Sequence, residues 1–111
     1  MTDHPPKRGE IWWASLDPTV GSEIRKKRPC LVLSTDIVNE HRRTVLVAPL
    51  SSSPKPNPPI TVPIECSGKS GVVVVDQMRA ISKERLQSFL QKATEKEVEA
   101  VIEALKIIIE A

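Results

Sequence analysis

Two short segments of this 111-residue chain hold the residue types most suited to chemistry on an anion. The first is Gly21-Ser22-Glu23-Ile24-Arg25-Lys26-Lys27-Arg28-Pro29. Glycine permits a tight turn, Ser22 and Glu23 bond locally, and four basic residues follow. Arg28 stands where the chain enters an apolar run, so it is held more firmly than Arg25, Lys26 or Lys27. The second is Ser51-Ser52-Ser53, at the junction of a predicted strand and a proline-rich loop. A constrained guanidinium offers a planar fork of donors, and a strand-end hydroxyl offers one more; together they suit a phosphate. Taken alone, a solvated basic loop and ordinary turn serines explain the same letters, so neither segment names an enzyme.

Other chemistries find less support. His4 lies in the N-terminal tail and His41 in a helix or loop, with no second ligand at metal-binding spacing. Cys30 and Cys66 form no CxxC pair. Cys30 sits in Cys30-Leu31-Val32-Leu33 and reads as a buried free thiol. Glu95, Glu97, Glu99 and Glu103 read as the solvated face of a helix. No GxSxG, phosphate-loop or GxGxxG pattern occurs.

The elements that must position Arg28 and Ser51 are short strands. Residues 1–7 read as a mobile polar tail, and 8–111 as one domain, since a chain of this length builds a single core. Predicted strands cover 10–15, 28–34, 43–50, 60–65 and 72–75, with a further segment at 76–81. Thr35 or Asp36 caps a helical turn or two over 35–41. Pro49 suggests an edge strand or a bulge. Residues 51–59 contain four prolines and cannot continue a sheet. This pattern of strands and turns implies a small barrel or strongly bent sheet.

Two helical segments are then expected. One spans 83–91, capped by Ser82 and burying Leu86, Phe89 and Leu90. The other opens on the capping box Thr94-Glu95-Lys96-Glu97. Its apolar stripe Val98, Val101, Ile102, Leu105, Ile108 and Ile109 must pack on the sheet. A second stripe, Ala100, Ala104, Ile107 and Ala111, lies roughly opposite and offers a contact face to another subunit. The fold class is therefore mainly β with short helices (α+β).

The formal charge of +2 hides an asymmetry: residues 1–93 carry 14 basic and 9 acidic side chains, residues 94–111 carry 2 and 5. A basic body favours a polyanion. No apolar run is long enough to span a bilayer and residues 1–10 lack a secretory h-region, so a cytoplasmic protein with no membrane association is expected.

At these residues the sequence resembles the MazF/PemK (Kid) toxin family. The resemblance is carried by Arg8-Gly9-Glu10-Ile11-Trp12-Trp13 with Leu16-Asp17-Pro18, then Gly21-Ser22-Glu23 through Arg28-Pro29 and Leu31-Val32-Leu33-Ser34. It continues through Thr44–Ser51 and Val73–Ile81, in order, over residues 8–90. It implies an SH3-like or CcdB-like barrel, a homodimer, and cleavage of single-stranded RNA with no metal or other cofactor. It also implies a MazE-type antitoxin as partner. Carried over by position, the family's catalytic Arg falls on Arg28 and its catalytic Thr on Ser51, which keeps the hydroxyl without the methyl. Gly21, Ser22, Glu23 and Gln77 match groove positions, and Arg25, Lys26, Lys27, Ser52 and Ser53 flank them as substrate-binding candidates.

RNA brings its own nucleophile, the 2′-OH, so the enzyme need only meet charge that grows on the attacked phosphate. The general base is open, with Glu23 or a backbone group as candidates. Two other readings remain open on sequence alone: a CcdB-like gyrase inhibitor, and an RNA-binding barrel that catalyses nothing.

Overall fold

The computed structural model describes residues 4–16, 27–52 and 60–110. Seven strands form one strongly curved, barrel-like sheet: β1 Glu10–Ser15, β2 Lys27–Val32, β3 Thr44–Ser51, β4 Thr61–Cys66, β5 Lys69–Val74, β6 Arg79–Ser82 and β7 Leu86–Lys92. Helix α1 (Asp36–His41) joins β2 to β3, and α2 (Glu95–Ile109) ends the described chain. The strand order is β4-β5-β3-β2-β1-β7, with β6 added beside β3, and all the pairings are antiparallel.

The middle strands are apolar on both faces, and each face buries its own cluster. Ile11, Leu31, Leu33, Ala48 and Leu50 point to a core completed by Val101 and Ala104 of α2. Their neighbours Trp12, Cys30, Val32, Val45 and Val47 point to a second core with Ile81 and Leu86. Two-sided burial explains why Cys30–Leu33 and Val45–Leu50 read as unbroken apolar runs rather than alternating ones.

β3 is the hinge of the sheet. Thr44–Val47 pairs β6, whereas Leu50 and Ser51 pair β5. Pro49, expected at an edge or bulge, instead lies in a strand paired on both sides, opposite Cys30 of β2. It falls between the two partners that β3 takes in turn, where a missing N–H is tolerated.

Side chains draw together the far ends of the strand order, β4 and β7. The Gln91 side chain on β7 accepts from Ser67 N (2.8 Å) and donates to Glu65 O (3.0 Å). Glu97 of α2 accepts from Glu65 N at 3.1 Å. Glu97 also completes the expected capping box with Thr94, its Oε1 accepting from Thr94 N while Thr94 Oγ1 accepts from Glu97 N. At the β4–β5 turn, Ser67 and Gly68 have φ of 54° and 77°. Cys66 pairs directly with Lys69 across these two residues, the geometry of a tight type I′ hairpin.

Three further expectations differ from the structure. The segment 83–91 is a 3-10 turn, Lys83–Arg85, followed by strand β7; Ser82 caps only that turn, accepting from Glu84 N. The spacing of Leu86, Phe89 and Leu90 fits a helix, but the open edge of β1 claims the segment, with register shifts that disguise its alternation. Within α2, Ala104 is buried in the sheet-facing core, while Ala100 is exposed and Ile109 is 66% exposed. The two helical stripes therefore do not divide as expected, and Ala111 lies outside the described residues. Residues 4–7 are also not a loose tail. His4 Nε2 donates to Glu10 Oε2 at 2.9 Å, and its ring packs on Trp12 and Phe89. Glu10 Oε1 accepts from Lys7 N and Trp12 Nε1, so this buried carboxylate is compensated by three donors.

At α1, Thr35 holds the capping position without a side-chain bond, and Asp36 accepts from Arg8 N. Ser34 Oγ donates to the buried Asn39, and Asn39 Nδ2 donates back to Ser34 O at 3.0 Å. These bonds fix the helix to the sheet.

Cys30 is a free thiol with no exposed surface. Burial pushes it up to about 12 from its ordinary 9.0, against the downward pull of Arg28 and then Arg79. Between pH 9 and about 12 the unfolded thiol loses its proton while the folded one keeps it. Stability therefore falls as pH rises through that window, by up to about 1.4 kcal/mol per pH unit. Denaturant unfolding of the wild type and Cys30→Ala from neutral pH upward should show the wild type losing stability faster above pH 9. Parallel curves would refute this.

Candidate nucleic-acid interface

The helix-covered core runs out at one end of the sheet, and a groove of about 560 Å³ opens there. Leu50 and Ile64 belong to that core and also floor the groove, joined by Leu90. Around this apolar floor stand Lys27 and Arg28 from β2, Ser51 and Ser52 from the end of β3, and Lys69 and Ser70 from β5. Three cations line the groove, and no Asp or Glu is among its described residues. The ion pairs among the described residues, His4–Glu10 and Lys106–Glu103, involve none of these cations.

Register brings Arg28 and Ser51 to one end of the sheet. Val32, Leu31 and Cys30 of β2 pair Val47, Ala48 and Pro49 of β3. The ladder stops there, two residues short of Arg28 and Ser51, and both line the groove beyond its end. Arg28 is fixed on its other edge by Ala14 of β1, and its carbonyl accepts the Cys30 thiol at 3.6 Å. Ser51 is fixed by pairing with Val72. Both are thus strand residues at the rim of a packed core, with exposed or partly exposed side chains.

The end of β1 is anchored as well. Arg79 donates to Leu16 O at 3.2 Å and Arg85 to Ser15 O at 3.1 Å, so two guanidinium groups hold the chain where it leaves β1. The described residues hold no group of three or more His, Cys, Asp or Glu arranged to bind a metal. No described helix is long and apolar enough to cross a membrane.

The family model for PemK-like, MazF-like toxins of type II toxin–antitoxin systems matches residues 7–109. The chain belongs to that family. It is 34% identical over 106 residues to the endoribonuclease EndoA of Bacillus subtilis, covering 91% of each chain. It is 32% identical to the endoribonuclease MazF of Staphylococcus saprophyticus, over 91% of this chain and 88% of the relative. In three dimensions it resembles MazF from Deinococcus radiodurans, with a TM-score of 0.83 and 28% identity over 98% of this chain and all of the other. A MazE–MazF complex from the same organism matches with a TM-score of 0.82 and 27% identity, over 96% and 98% of the chains. The barrel with its C-terminal helix is therefore the fold of this toxin family.

Of the residues singled out in this toxin's sequence, the groove brings together Arg28, Ser51, Lys27 and Ser52. Gln77 does not join them: it lies exposed in the 3-10 turn Val75–Gln77, away from the groove lining. Gly21, Ser22, Glu23, Arg25, Lys26 and Ser53 lie outside the described residues. Sequence reasoning missed Trp13, Lys69 and Ser70. The last two read as plain turn residues, and their only signal was a lysine set among serines after a strand.

Gly71 is the tightest point beneath the site. A Cβ there would stand 2.7 Å from the carbonyl oxygen of Ser51 and 3.6 Å from its carbonyl carbon. Both are backbone atoms, so the β3–β5 spacing must widen if the position carries a side chain. Gly71→Ala should cost about 1–3 kcal/mol, the range typical of overpacking, as measured by chemical denaturation. Wild-type stability in this variant would show that Gly71 does not set the position of Ser51.

Proposed function

We propose that this toxin is an endoribonuclease that cuts single-stranded messenger RNA in the cytoplasm, at short sequences and without a metal. The observation that carries the reading is the groove with three cations, strand-end serine hydroxyls and no described carboxylate. Such a groove attracts a polyanion, and the family assignment names the class of enzyme.

In the proposed reaction, the ribose 2′-oxygen attacks the adjacent phosphorus and the bond from phosphorus to the 5′-oxygen breaks. The products are a 2′,3′-cyclic phosphate and, after proton uptake by the leaving oxygen, a free 5′-OH. Negative charge grows on the non-bridging oxygens during attack. Arg28, whose backbone is held by pairing with Ala14, meets it with a planar fork of donors, and Ser51 adds one neutral donor. Cys30 takes no part as nucleophile, because its raised titration keeps it protonated at neutral pH. The candidates for the base that accepts the 2′-OH proton are Glu23 and a backbone group.

The CcdB-like reading loses its footing, since the family match is to the MazF side of this fold. The partner protein is an antitoxin of the MazE type, with an acidic segment that competes with RNA for the basic groove. Solved MazE–MazF complexes from Deinococcus radiodurans share the fold at 25–27% identity and support this reading. The working unit is a homodimer. Its support is the family resemblance and the apolar surface left on one protomer, with Ile37 73% exposed and Ile107 57% exposed. Light scattering at micromolar concentration should give twice the mass of one chain, and a monomer mass would overturn the dimer.

Arg28→Ala should slow cleavage of a long RNA by about 100- to 1000-fold in the presence of EDTA, the usual effect of losing one donor to developing charge. Ser51→Ala should lose less. Arg28→Lys should not rescue, because a point charge lacks the planar fork. Mapping of product ends should find cyclic phosphate and 5′-OH, and RNA with a 2′-deoxy sugar at the cut site should bind yet resist cleavage. Normal cutting of that deoxy substrate, or full activity in Arg28→Ala, would overturn the mechanism.

A further inference from the structure

We propose that Trp13 is a substrate-binding residue on which one base of the RNA stacks, so that its indole helps to choose where the strand is cut. This rests on the nuclease reading and extends it from phosphate chemistry to base recognition. The evidence begins with strand geometry. Adjacent residues of β1 face opposite ways, and Trp12 is fully buried while Trp13 is 37% exposed. Trp13 pairs Pro29 on one side and Ser88 on the other, one position along from the Arg28 ladder partner Ala14. It lines the same groove as Arg28 and Ser51.

No other aromatic side chain can do this work. The chain has two Trp, one Phe and no Tyr. Trp12 is spent in the core, with its Nε1 donating to Glu10. Phe89 is cross-strand from Trp12, on the opposite face from Trp13, and its ring packs edge-on against Trp12 and against His4. The sequences 17–26 and 53–59 contain no aromatic residue. Any base that stacks on an aromatic ring in this groove must therefore use Trp13.

The surroundings match a nucleotide rather than a simple apolar ligand. An exposed indole over an apolar floor supplies the π-face, and Lys27, Arg28 and Lys69 supply charge for the adjoining phosphates. Proteins that bind single strands combine these two features, because every base has a face to stack and every linkage a charge to meet. Stacking alone tolerates any base. Beside a fixed Arg28, however, it sets which nucleotide of the strand comes level with the attacked phosphate.

The test is an abasic scan. A short mixed-sequence 2′-O-methyl RNA, which has no nucleophile to be cut, is prepared with each nucleotide in turn replaced by an abasic residue. Binding is measured with wild type, Trp13→Phe and Trp13→Ala. In wild type, one abasic position should weaken binding by roughly 5- to 150-fold, the range for loss of one stacked base. Trp13→Ala should bind the intact RNA more weakly by a similar factor and be indifferent to the abasic residue at that position. Trp13→Phe should keep most of the affinity and the abasic sensitivity, which also controls for folding. Equal abasic sensitivity in wild type and Trp13→Ala would overturn the stacking role while leaving the nuclease reading intact. Failure of wild type to bind or cut any RNA would overturn both.

Discussion

Two-sided burial of β1, β2 and β3 is the constraint on which the rest of the structure depends. One face of these strands closes under α2 and the other closes inside the curl of the sheet, so most mid-strand side chains meet a core, Trp13 and Leu46 being the exposed exceptions. A charged group in such a place would cost several kcal/mol unless fully paired. Charged and hydroxyl side chains are thereby driven to the strand ends. Arg28 and Ser51 sit where their strands leave the apolar body, and the groove brings those two ends together. The site is placed by the limits of the core as much as by its own contacts.

The same constraint demands a way to finish the sheet. Strand β4 is an edge, and an open edge invites pairing with another chain. Here the backbone of Glu65 is satisfied on both counts by side chains, Gln91 from β7 and Glu97 from α2. That closure holds the β4–β5 hairpin against the body of the protein, and the hairpin carries Lys69 and Ser70 to the far wall of the groove. A backbone-satisfying bond is worth roughly 1 kcal/mol net. The larger consequence is geometric, since the groove has two walls only while the hairpin stays docked. Gly71 then allows β5 to approach Ser51 closely enough for the walls and the floor to form one surface.

Much of this was legible in the letters. The apolar runs marked the central strands, the Thr94–Glu97 box marked the start of α2, and Arg28 at a loop-to-strand junction marked the rim of the site. What escaped was decided by distant partners. Residues 83–91 have helical spacing, yet β1 needed a second neighbour and the pairing won over local periodicity. Ala104 was assigned to an outer stripe because 100° per residue leaves an alanine ambiguous, whereas the sheet beneath α2 accepts a small side chain there. His4 looked like tail because nothing local holds it; its partners Glu10 and Phe89 reach it only once β1 and β7 pair. Lys69 was invisible for the same reason, since a hairpin gains meaning only when its tip is known to face Arg28.

Charge completes the logic of a toxin that must be both active and restrained. The acidic residues of the C-terminal segment lie on α2 or at its end, and α2 contributes nothing to the groove, so the cations there are left without intramolecular carboxylates among the described residues. Such a groove keeps its positive potential available to a ligand, and salt screens it over only about 8–10 Å. On the proposed function, an RNA strand and an acidic antitoxin segment would draw on that same potential, so each would displace the other rather than bind beside it. Attraction of this kind speeds encounter with either polyanion but does not tell them apart. In the proposed mechanism, discrimination comes from features that charge does not supply: the fork of Arg28, the hydroxyl of Ser51 and an aromatic face. All three answer to a nucleotide's phosphate, ribose or base. On that same proposal an acidic peptide matches only the field, and holding the toxin in check would call for additional apolar contacts elsewhere on the barrel.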